Sequence, residues 1–320
     1  MKILVIQTAF IGDVILATAV ASKLKRCLPA CEVHFLVRKG NEELLQGHPH
    51  IDRVLVWNKR EDKLRNLWKV IGEVRAQRYD RVVNLHRFAS SGWITVLSRA
   101  AHTIGFSKNP MSFLFNEKFP HVLGSKDHPG PHEVQRNLSL VRSFTDDSFE
   151  RPLLVPSPDD EAVVRGYTGE EFITISPASV WFTKQWPSDR WAGLIRSSTA
   201  RVYLLGGKGD VPLCESLQQS TDSHRVVVLA GKLSLLQSAA LMRHAQMNYV
   251  NDSAPMHLCS AVNAPVTAVF CSTIPEFGFG PLSDVAVVAE TKEPLHCRPC
   301  GLHGHRQCPK GHFKCAEIEL

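Results

Sequence analysis

The sequence predicts an α/β protein built from two doubly wound, Rossmann-like parallel sheets that face each other across a cleft. Short apolar segments, typical of strands buried in a parallel sheet, alternate with amphipathic helical segments in both halves of the chain. Three prolines between residues 151 and 158 interrupt this pattern at mid-chain. The chain also has 320 residues, more than the roughly 250–300 at which a single core usually divides.

The N-terminal half should form the first sheet. We expect strands at residues 2–6, 32–37, 53–56 and 79–85, and helices at residues 14–26, 44–48, 64–74 and 132 to about 144. Residues 106–130 should be irregular. Ligands of doubly wound sheets bind beyond the carboxyl ends of the strands, so loops 7–13 and 86–91 should share one rim.

The C-terminal half repeats this pattern. We expect strands at residues 172–176, 201–206, 226–229, 247–250 and 266–270, and helices at residues 188–197, 212–220, 234–244 and 254–262. The chain should therefore divide into an N-terminal domain, residues 1–155, and a C-terminal domain, residues 156–320. Two such domains joined by one linker form a GT-B arrangement.

A candidate anion site lies in the C-terminal half, where a buried strand runs into Asn251, Asp252 and Ser253. These residue types commonly cap helices, and Pro255 suits the first turn of a helix. Free N–H groups and the helix dipole make a helix N-terminus attractive to anions. An ordinary capped helix that binds nothing is the alternative. His257, one turn into the helix, and the upstream loop with Lys184 favour a site.

Three further residues have both a structural and a functional interpretation. Asp13 follows a loop with a single glycine, so the dinucleotide fingerprint of three spaced glycines is absent. Its carboxylate could stabilise the helix dipole or act as a base. Asp210 ends a glycine-rich turn that lacks the spacing of a phosphate loop, and a helix cap is its simpler role. Lys184 could be a solvated lysine or an anion-binding one.

Four cysteines near the C-terminus are candidate metal ligands. Cys297 and Cys300 have chelating spacing, and Cys308 and Cys315 could complete a four-coordinate structural zinc site. Reduced thiols or adventitious disulfides are the alternative. The other five cysteines lie in apolar or helical segments, which is typical of a reducing compartment, so we expect a cytoplasmic protein.

The net charge of +6 suits anionic substrates or an anionic membrane surface, although solubility alone could explain it. The predicted helix at residues 64–74 has an apolar face and a basic face with Lys63, Arg65, Lys69 and Arg75. That basic face could be solvated or could rest on anionic lipid at the inner membrane. No apolar run approaches the length of about 20 residues that spans a bilayer, and no nucleic-acid partner is expected.

Several of these segments together resemble the bacterial lipopolysaccharide heptosyltransferase family, which are GT-B glycosyltransferases. The opening loop with Gly12 and Asp13 matches that family, and so does the lysine–aromatic–proline loop at residues 184–187. The block from Asp252 to His257, the segment 231–235 and the cysteine-rich tail match as well. Ala254 replaces the family's usual glycine. Its methyl group could crowd a phosphate, or the backbone could have helical angles that alanine tolerates.

The resemblance implies inverting transfer of heptose from ADP-heptose to the lipid A–Kdo or heptosyl acceptor of the lipopolysaccharide inner core. No cofactor is required for such catalysis. The implied catalytic residues are Asp13, as general base with His86 as its rival, and Lys184, which stabilises the leaving diphosphate. The implied donor-binding residues are Thr183, Lys184, Asp210, Asn251, Asp252, Ser253, Ala254 and His257. The implied acceptor-binding residues are His86, Arg87, Ser90 and Ser91.

Two other functions stay open at this point. One is a GT-B enzyme that acts on another nucleotide sugar, either a different transferase or an epimerase. The other is a catalytically silent sugar-binding relative, which only Ala254 suggests. Donor screening separates the first from a heptosyltransferase, and release of nucleoside diphosphate excludes the second.

Overall fold

The computed structural model describes residues 1–221 and 224–320, and it divides into two compact units. One unit contains Met1–Leu123 and Pro131–Val155, and the other contains Gly124–Gly130 and Pro156–Leu320. Each unit has one six-stranded sheet with helices between the strands. The predicted fold class, α/β with two Rossmann-like sheets, is therefore confirmed. None of the helices in the described residues is both long and apolar enough to cross a bilayer.

The first unit has a fully parallel sheet. Its strands are β1 Lys2–Ile6, β2 Glu32–Arg38, β3 Arg53–Trp57, β4 Arg81–Asn84, β5 His102–Phe106 and β6 Glu117–Phe119. Its helices are α1 Ile11–Cys27, α2 Lys63–Gln77, α3 Ala89–Val96 and α4 Glu133–Ser139. The strand order is β3-β2-β1-β4-β5-β6. Helix α1 packs against α4, and α2 packs against α3. The apolar segment of β1 is central, which explains why Ile3 to Ile6 have no exposed surface.

The second unit repeats the parallel arrangement. Its strands are β7 Phe172–Ser176, β8 Arg201–Leu204, β9 Val226–Val228, β10 Met247–Asn251, β11 Val266–Phe270 and β12 Ala286–Glu290. Its helices are α5 Pro158–Val164, α6 Ser188–Ser197, α7 Val211–Thr221, α8 Leu235–His244 and α9 Ala254–Ala261. The strand order is β12-β11-β10-β7-β8-β9. Residues 291–320, which we refer to as the tail, pack on this sheet through Leu295, Cys315, Ala316 and Ile318.

The structure contains elements that the sequence analysis missed, namely β5, β6, β12, α3 and α5. Strand β12 is at an edge of its sheet and three of its five residues are exposed, so its sequence shows no buried-strand pattern. Strand β6 has only three residues and lies in the segment predicted to be irregular. The helix predicted to reach residue 144 ends at Ser139, whose hydroxyl donates to Arg136 O at 2.6 Å.

The segment Gly124–Gly130 belongs to the second unit, although the sequence analysis assigned it to the N-terminal domain. Gly130 N donates to Glu276 O at 3.0 Å. A Cβ atom added at Gly124 would lie 1.9 Å from the same carbonyl oxygen, so only glycine fits this contact. The chain therefore enters the second unit briefly and returns to complete the first.

Candidate active site

The candidate donor-side residues of the second unit lie at the point where the strand order of its sheet reverses. Strands β7 and β10 are neighbours there, so the loops that follow them lie side by side. The loop after β7 carries Lys184, and β10 ends at Asn251, directly before Asp252. Ligands of doubly wound sheets bind at such a switch point. The structure thus brings together two segments that are about 70 residues apart in the sequence.

Lys184 forms an ion pair just before the start of α9. Its Nζ lies 2.7 Å from Asp252 Oδ2, and Thr273 Oγ1 donates a hydrogen bond of 2.6 Å to the same oxygen. The side chains of Lys184 and Asp252 are 14% and 9% exposed. A largely buried cation is therefore held, through Asp252, close to a helix N-terminus, and both features attract negative charge.

The N-terminus of α9 is not capped by the side chain in its N-cap position. That residue is Ser253, and its hydroxyl donates to Asn251 O at 3.3 Å instead of accepting from the helix. Ala254 begins the helix and is not among the residues with positive φ, so its backbone tolerates alanine in place of glycine. His257 lies one turn further and is buried. The Ser253 hydroxyl therefore does not occupy the N–H groups of the first turn of α9, as an anion site requires.

Asn251 makes hydrogen bonds within the second unit. Its side chain is fully buried; Oδ1 accepts from Trp186 N at 2.9 Å, and Nδ2 donates to Pro177 O at 2.8 Å. These bonds fasten the two ends of the Lys184 loop to β10. Asn251 therefore positions the loop, and a donor contact by this residue stays a prediction.

Thr183 and Asp210 are also engaged within the protein. Thr183 is 1% exposed, and its hydroxyl accepts a hydrogen bond of 2.7 Å from His305 N in the tail. Asp210 Oδ2 accepts from Gly207 N at 2.8 Å and thereby closes the glycine-rich turn that precedes α7. Any donor contact by either residue stays a prediction.

The first unit has its own switch point, between β1 and β4, and the candidate base lies beside it. Asp13 is the third residue of α1, and its Oδ2 accepts from Phe10 N at 3.1 Å. Burial and then the negative charge of Glu133 raise the pKa of Asp13 to about 6, although the Phe10 hydrogen bond and Arg87 oppose this. A carboxylate with this pKa is ionised at neutral pH and is a stronger base than an ordinary aspartate.

His86, the rival base, follows β4 on the neighbouring loop. It is buried, and its Nδ1 lies 3.2 Å from Thr8 Oγ1. Burial and then the positive charges of Lys59 and Arg87 lower the pKa of His86 to about 3. An imidazole with so low a pKa holds a proton poorly, so the electrostatics favour Asp13 as the base.

The loop after β4 differs from its predicted form because α3 already begins at Ala89. Ser91 lies inside this helix with no exposed surface, and its hydroxyl donates to the carbonyl oxygens of His86 and Phe88 at 3.0 and 2.8 Å. Ser91 therefore holds the turn together, and its acceptor contact stays a prediction. Ser90 is partly exposed at the same turn.

A buried polar chain behind Arg87 escaped the sequence analysis. Arg87 Nη1 lies 3.3 Å from His121 Nδ1, and His121 Nε2 lies 3.0 Å from Glu133 Oε2. Arg136 Nε donates to the same Glu133 oxygen at 2.7 Å. These bonds are consistent with a neutral His121 that accepts from Arg87 and donates to Glu133. His121 comes from the segment predicted to be irregular, so no sequence signal marked it.

The four tail cysteines are close in space and none is in a disulfide. Cys297 and Cys308 both contribute to the raised pKa of Cys300, after burial. The pKa of Cys308 is lowered, which favours its thiolate. Burial acts to raise this pKa, but hydrogen bonds from backbone N–H groups, of which that of Phe313 contributes most, outweigh burial. Among the described residues, however, no three metal-ligating side chains converge as they are placed. The Cys300 thiol donates to Cys297 O at 3.2 Å.

A family model described as glycosyltransferase family 9 (heptosyltransferase) matches residues 67–308. The chain belongs to this family. The resemblance to heptosyltransferases and the prediction of a glycosyltransferase are therefore confirmed. The match includes the Lys184 loop, the start of α9 and three of the four tail cysteines, but it begins after Asp13.

Three related proteins are similar to this chain over most of its length. Lipopolysaccharide heptosyltransferase 3 of Escherichia coli is 27% identical over an alignment of 288 residues that covers 82% of this chain and 82% of that protein. A family 9 glycosyltransferase structure from Veillonella parvula has a TM-score of 0.81 at 22% identity, with 91% of this chain and 86% of that chain covered. The E. coli ADP-heptose LPS heptosyltransferase II structure has a TM-score of 0.77 at 21% identity, with 99% and 98% covered. At these identities the structures establish the fold alone.

Proposed function

We propose that the protein transfers heptose from ADP-heptose to a hydroxyl of the lipopolysaccharide inner core, with inversion at the anomeric carbon. Membership of the heptosyltransferase family and the names of the relatives support this donor and acceptor. The observation that carries the chemistry is the Lys184–Asp252 ion pair beside the N-terminus of α9. In this proposal the second unit binds the nucleotide sugar and the first unit binds the acceptor.

The donor side stabilises the leaving group. As the bond between the anomeric carbon and the ADP oxygen breaks, negative charge grows on the diphosphate. The Lys184 ammonium and the backbone N–H groups at Ser253 and Ala254 are preorganised donors for that charge. Asp252 holds the ammonium in place until the diphosphate arrives. His257 lies in the first turns of α9 and is a further proposed donor contact. No step of this mechanism requires a cofactor.

The acceptor side supplies the base. Asp13 takes the proton from the attacking hydroxyl as the oxygen bonds to the anomeric carbon, and its pKa of about 6 suits this transfer. Arg87 and Ser90 are the proposed contacts for the anionic sugars of the acceptor, with His86 behind them. Arg87 is partly exposed and is supported by His121, so its charge is available at the end of the sheet.

Incubation with ADP-heptose and heptose-free lipopolysaccharide tests the proposal. Product mass should rise by one heptosyl residue, and one ADP should be released for each transfer. A panel of other nucleotide sugars in the same assay separates this activity from the alternatives. Transfer from another donor, with none from ADP-heptose, would contradict the proposed substrate. Absence of nucleoside diphosphate release with every donor would identify a silent sugar-binding protein.

The tail cysteines extend the proposal to a structural zinc held by Cys297, Cys300, Cys308 and Cys315. Their proximity is the observation that supports such a site, in which each sulfur would bind as thiolate. The environment of Cys308 favours the thiolate, whereas burial raises the pKa of Cys300 and Cys315 and opposes it. The Cys300 thiol would have to leave its bond to Cys297 O. Elemental analysis after zinc-supplemented expression tests this. Less than about 0.2 zinc per chain would favour reduced thiols, given the tight binding of structural sites.

Contact with the cytoplasmic face of the inner membrane is the last part of the proposal. On α2, Leu64 and Trp68 are 72% and 61% exposed and one turn apart, and Arg65 and Lys69 form a parallel basic row. Exposed apolar and basic side chains in this pattern suit an anionic lipid surface. Binding to anionic vesicles should weaken in Trp68→Ala and persist in Phe113→Ala, which removes an aromatic side chain 70% exposed elsewhere in the unit. Equal binding by both variants would contradict this contact.

A further inference from the structure

The tail forms one wall of the Lys184 loop. His305 N donates to Thr183 Oγ1 at 2.7 Å, and Thr183 N donates back to His305 O at 3.1 Å. Ser272 Oγ, at the end of β11, donates to Thr183 Oγ1 at 3.0 Å, and the Thr183 hydroxyl itself reaches His305 O at 3.3 Å. A hydroxyl has one donor and two acceptor positions, so that of Thr183 is fully used. All these contacts are within the second unit, and they fix the position of Thr183 directly before Lys184.

Gly304 brings the tail into direct contact with Lys184. Its φ is +74°, in the left-handed region that favours glycine. A Cβ atom at this position would lie 2.8 Å from Thr183 Oγ1, 3.1 Å from Lys184 Cγ and 3.1 Å from Ser272 Oγ. The first distance is shorter than real Cβ contacts, so a side chain here must displace the Lys184 loop, the tail, or both.

The tail on both sides of this turn is fastened to the second unit. Cys300 N donates to Ser272 O at 2.8 Å. Arg298 donates to the carbonyl oxygens of Phe270, Cys271 and Thr273, and the last residue also binds Asp252. On the far side of the turn, Trp186 Nε1 donates to Ala316 O at 3.2 Å. The tail is thus hydrogen-bonded both to the Lys184 loop and to the segment after β11, which includes Thr273, the residue that binds Asp252.

We propose that the turn at residues 303–305 is a positioning element for Lys184, with Gly304 and the Thr183 hydroxyl as its decisive groups. Through them the tail sets where the ammonium group lies relative to Asp252 and the start of α9. The inference rests on the proposed role of Lys184 in stabilising the leaving diphosphate. It assigns to the tail a part in turnover that is separate from metal binding.

Gly304→Ala tests the contact, and Gly311→Ala is its matched control. Gly311 has the same φ of +74° and lies in the same tail, but an added Cβ there meets nothing within 4 Å. Both variants therefore place alanine at the same left-handed φ, and only Gly304→Ala crowds Lys184. Misplacement of a catalytic group by about 1 Å can cost about 10²-fold in rate, so we expect kcat to fall at least about tenfold in Gly304→Ala, with the acceptor KM unchanged. Gly311→Ala should retain kcat within about twofold.

Two substitutions of Thr183 provide an independent arm. Thr183→Val keeps the shape and removes the hydroxyl, so it should lower kcat as Gly304→Ala does. Thr183→Ser keeps the hydroxyl and should restore kcat to within about threefold of the wild type. Equal loss in both, or no loss in either, would overturn the role of the hydroxyl.

A labelling experiment makes the outcome independent of activity. Lys184 is 14% exposed and paired, so an amine-directed reagent should modify it slowly in the wild type, as followed by peptide mass spectrometry. Displacement of the loop should speed this reaction in Gly304→Ala and leave it unchanged in Gly311→Ala. Equal labelling and equal kcat in the two glycine variants would overturn the positioning proposal. Full activity of Lys184→Ala would instead overturn the proposed role of Lys184, whatever the glycine variants show.

Discussion

Replacement of Lys184 by methionine separates the stability of the ion pair from its chemistry. Unit charges 2.7 Å apart attract by about 6 kcal/mol at an effective dielectric constant of about 20. Desolvation offsets much of this, but removal of one partner from a buried pair costs about 3–5 kcal/mol because the other charge stays uncompensated. Thr273 still donates to Asp252 in the variant, so we expect about 3 kcal/mol. The melting temperature should fall by roughly 6–12 °C for a unit of this size.

The double variant Lys184→Met/Asp252→Asn removes both charges and should recover most of the lost stability. It should not recover turnover, because methionine cannot stabilise a departing diphosphate. We expect kcat about 10²–10³-fold below the wild type in the single and the double variant. Thermal unfolding by circular dichroism and ADP release, measured on the same preparations, provide the two readouts.

The control is Lys292→Met, because Lys292 pairs with Glu319 at 3.6 Å while their side chains are 90% and 87% exposed. Exposed pairs contribute little, so neither readout should change in that variant. A wild-type melting temperature in Lys184→Met would show that the pair with Asp252 is not a buried ion pair. Wild-type turnover in the double variant would refute the leaving-group role.

Three further predictions concern the first unit. Asp13→Asn keeps the size of the side chain and should lower kcat by at least about 10²-fold with little change in melting temperature; retained activity there, with loss in His86→Ala, would make His86 the base. Since Asp13 must be ionised and burial, then Glu133, raise its pKa to about 6, kcat/KM should fall below about pH 6. The midpoint should move to lower pH in Glu133→Gln and to higher pH in Arg87→Met, and an unmoved midpoint in both would contradict the assignment to Asp13. Ser91→Ala should lower the free energy of unfolding by about 1 kcal/mol and leave the acceptor KM unchanged, and a raised KM with normal stability would restore the acceptor contact.

Short-range patterns in the sequence predicted the parts of the site that are local. The apolar strand before Asn251, the cap position of Ser253 and Pro255 in the first turn all depend on neighbouring residues, so their chemistry is visible in the sequence. The start of α9 could therefore be predicted closely. Interior strands such as β1 and β11 could also be predicted closely, because their residues are almost all apolar.

Contacts between distant segments could not be predicted in this way. Thr183 meets His305 across 122 residues, and Asn251 meets Trp186 across 65. In the sequence each is simply a polar residue in a plausible ligand-binding segment. Only the fold shows that their hydrogen-bonding groups are used internally. The hydrogen bonds of Ser91 are local, but its burial could not be predicted because the onset of α3 is not marked by a side-chain cap.

The excursion of Gly124–Gly130 into the second unit has a consequence for dividing the gene. A fragment that begins at Pro156 lacks these seven residues, so the carbonyl group of Glu276 loses its partner Gly130. The complementary fragment, residues 1–155, would carry the same seven residues with nothing to bind. A cut at the mid-chain linker therefore separates the second unit from seven of its own residues. A fragment that keeps the second unit whole would carry this short segment as well, for example joined ahead of Pro156 through a flexible spacer.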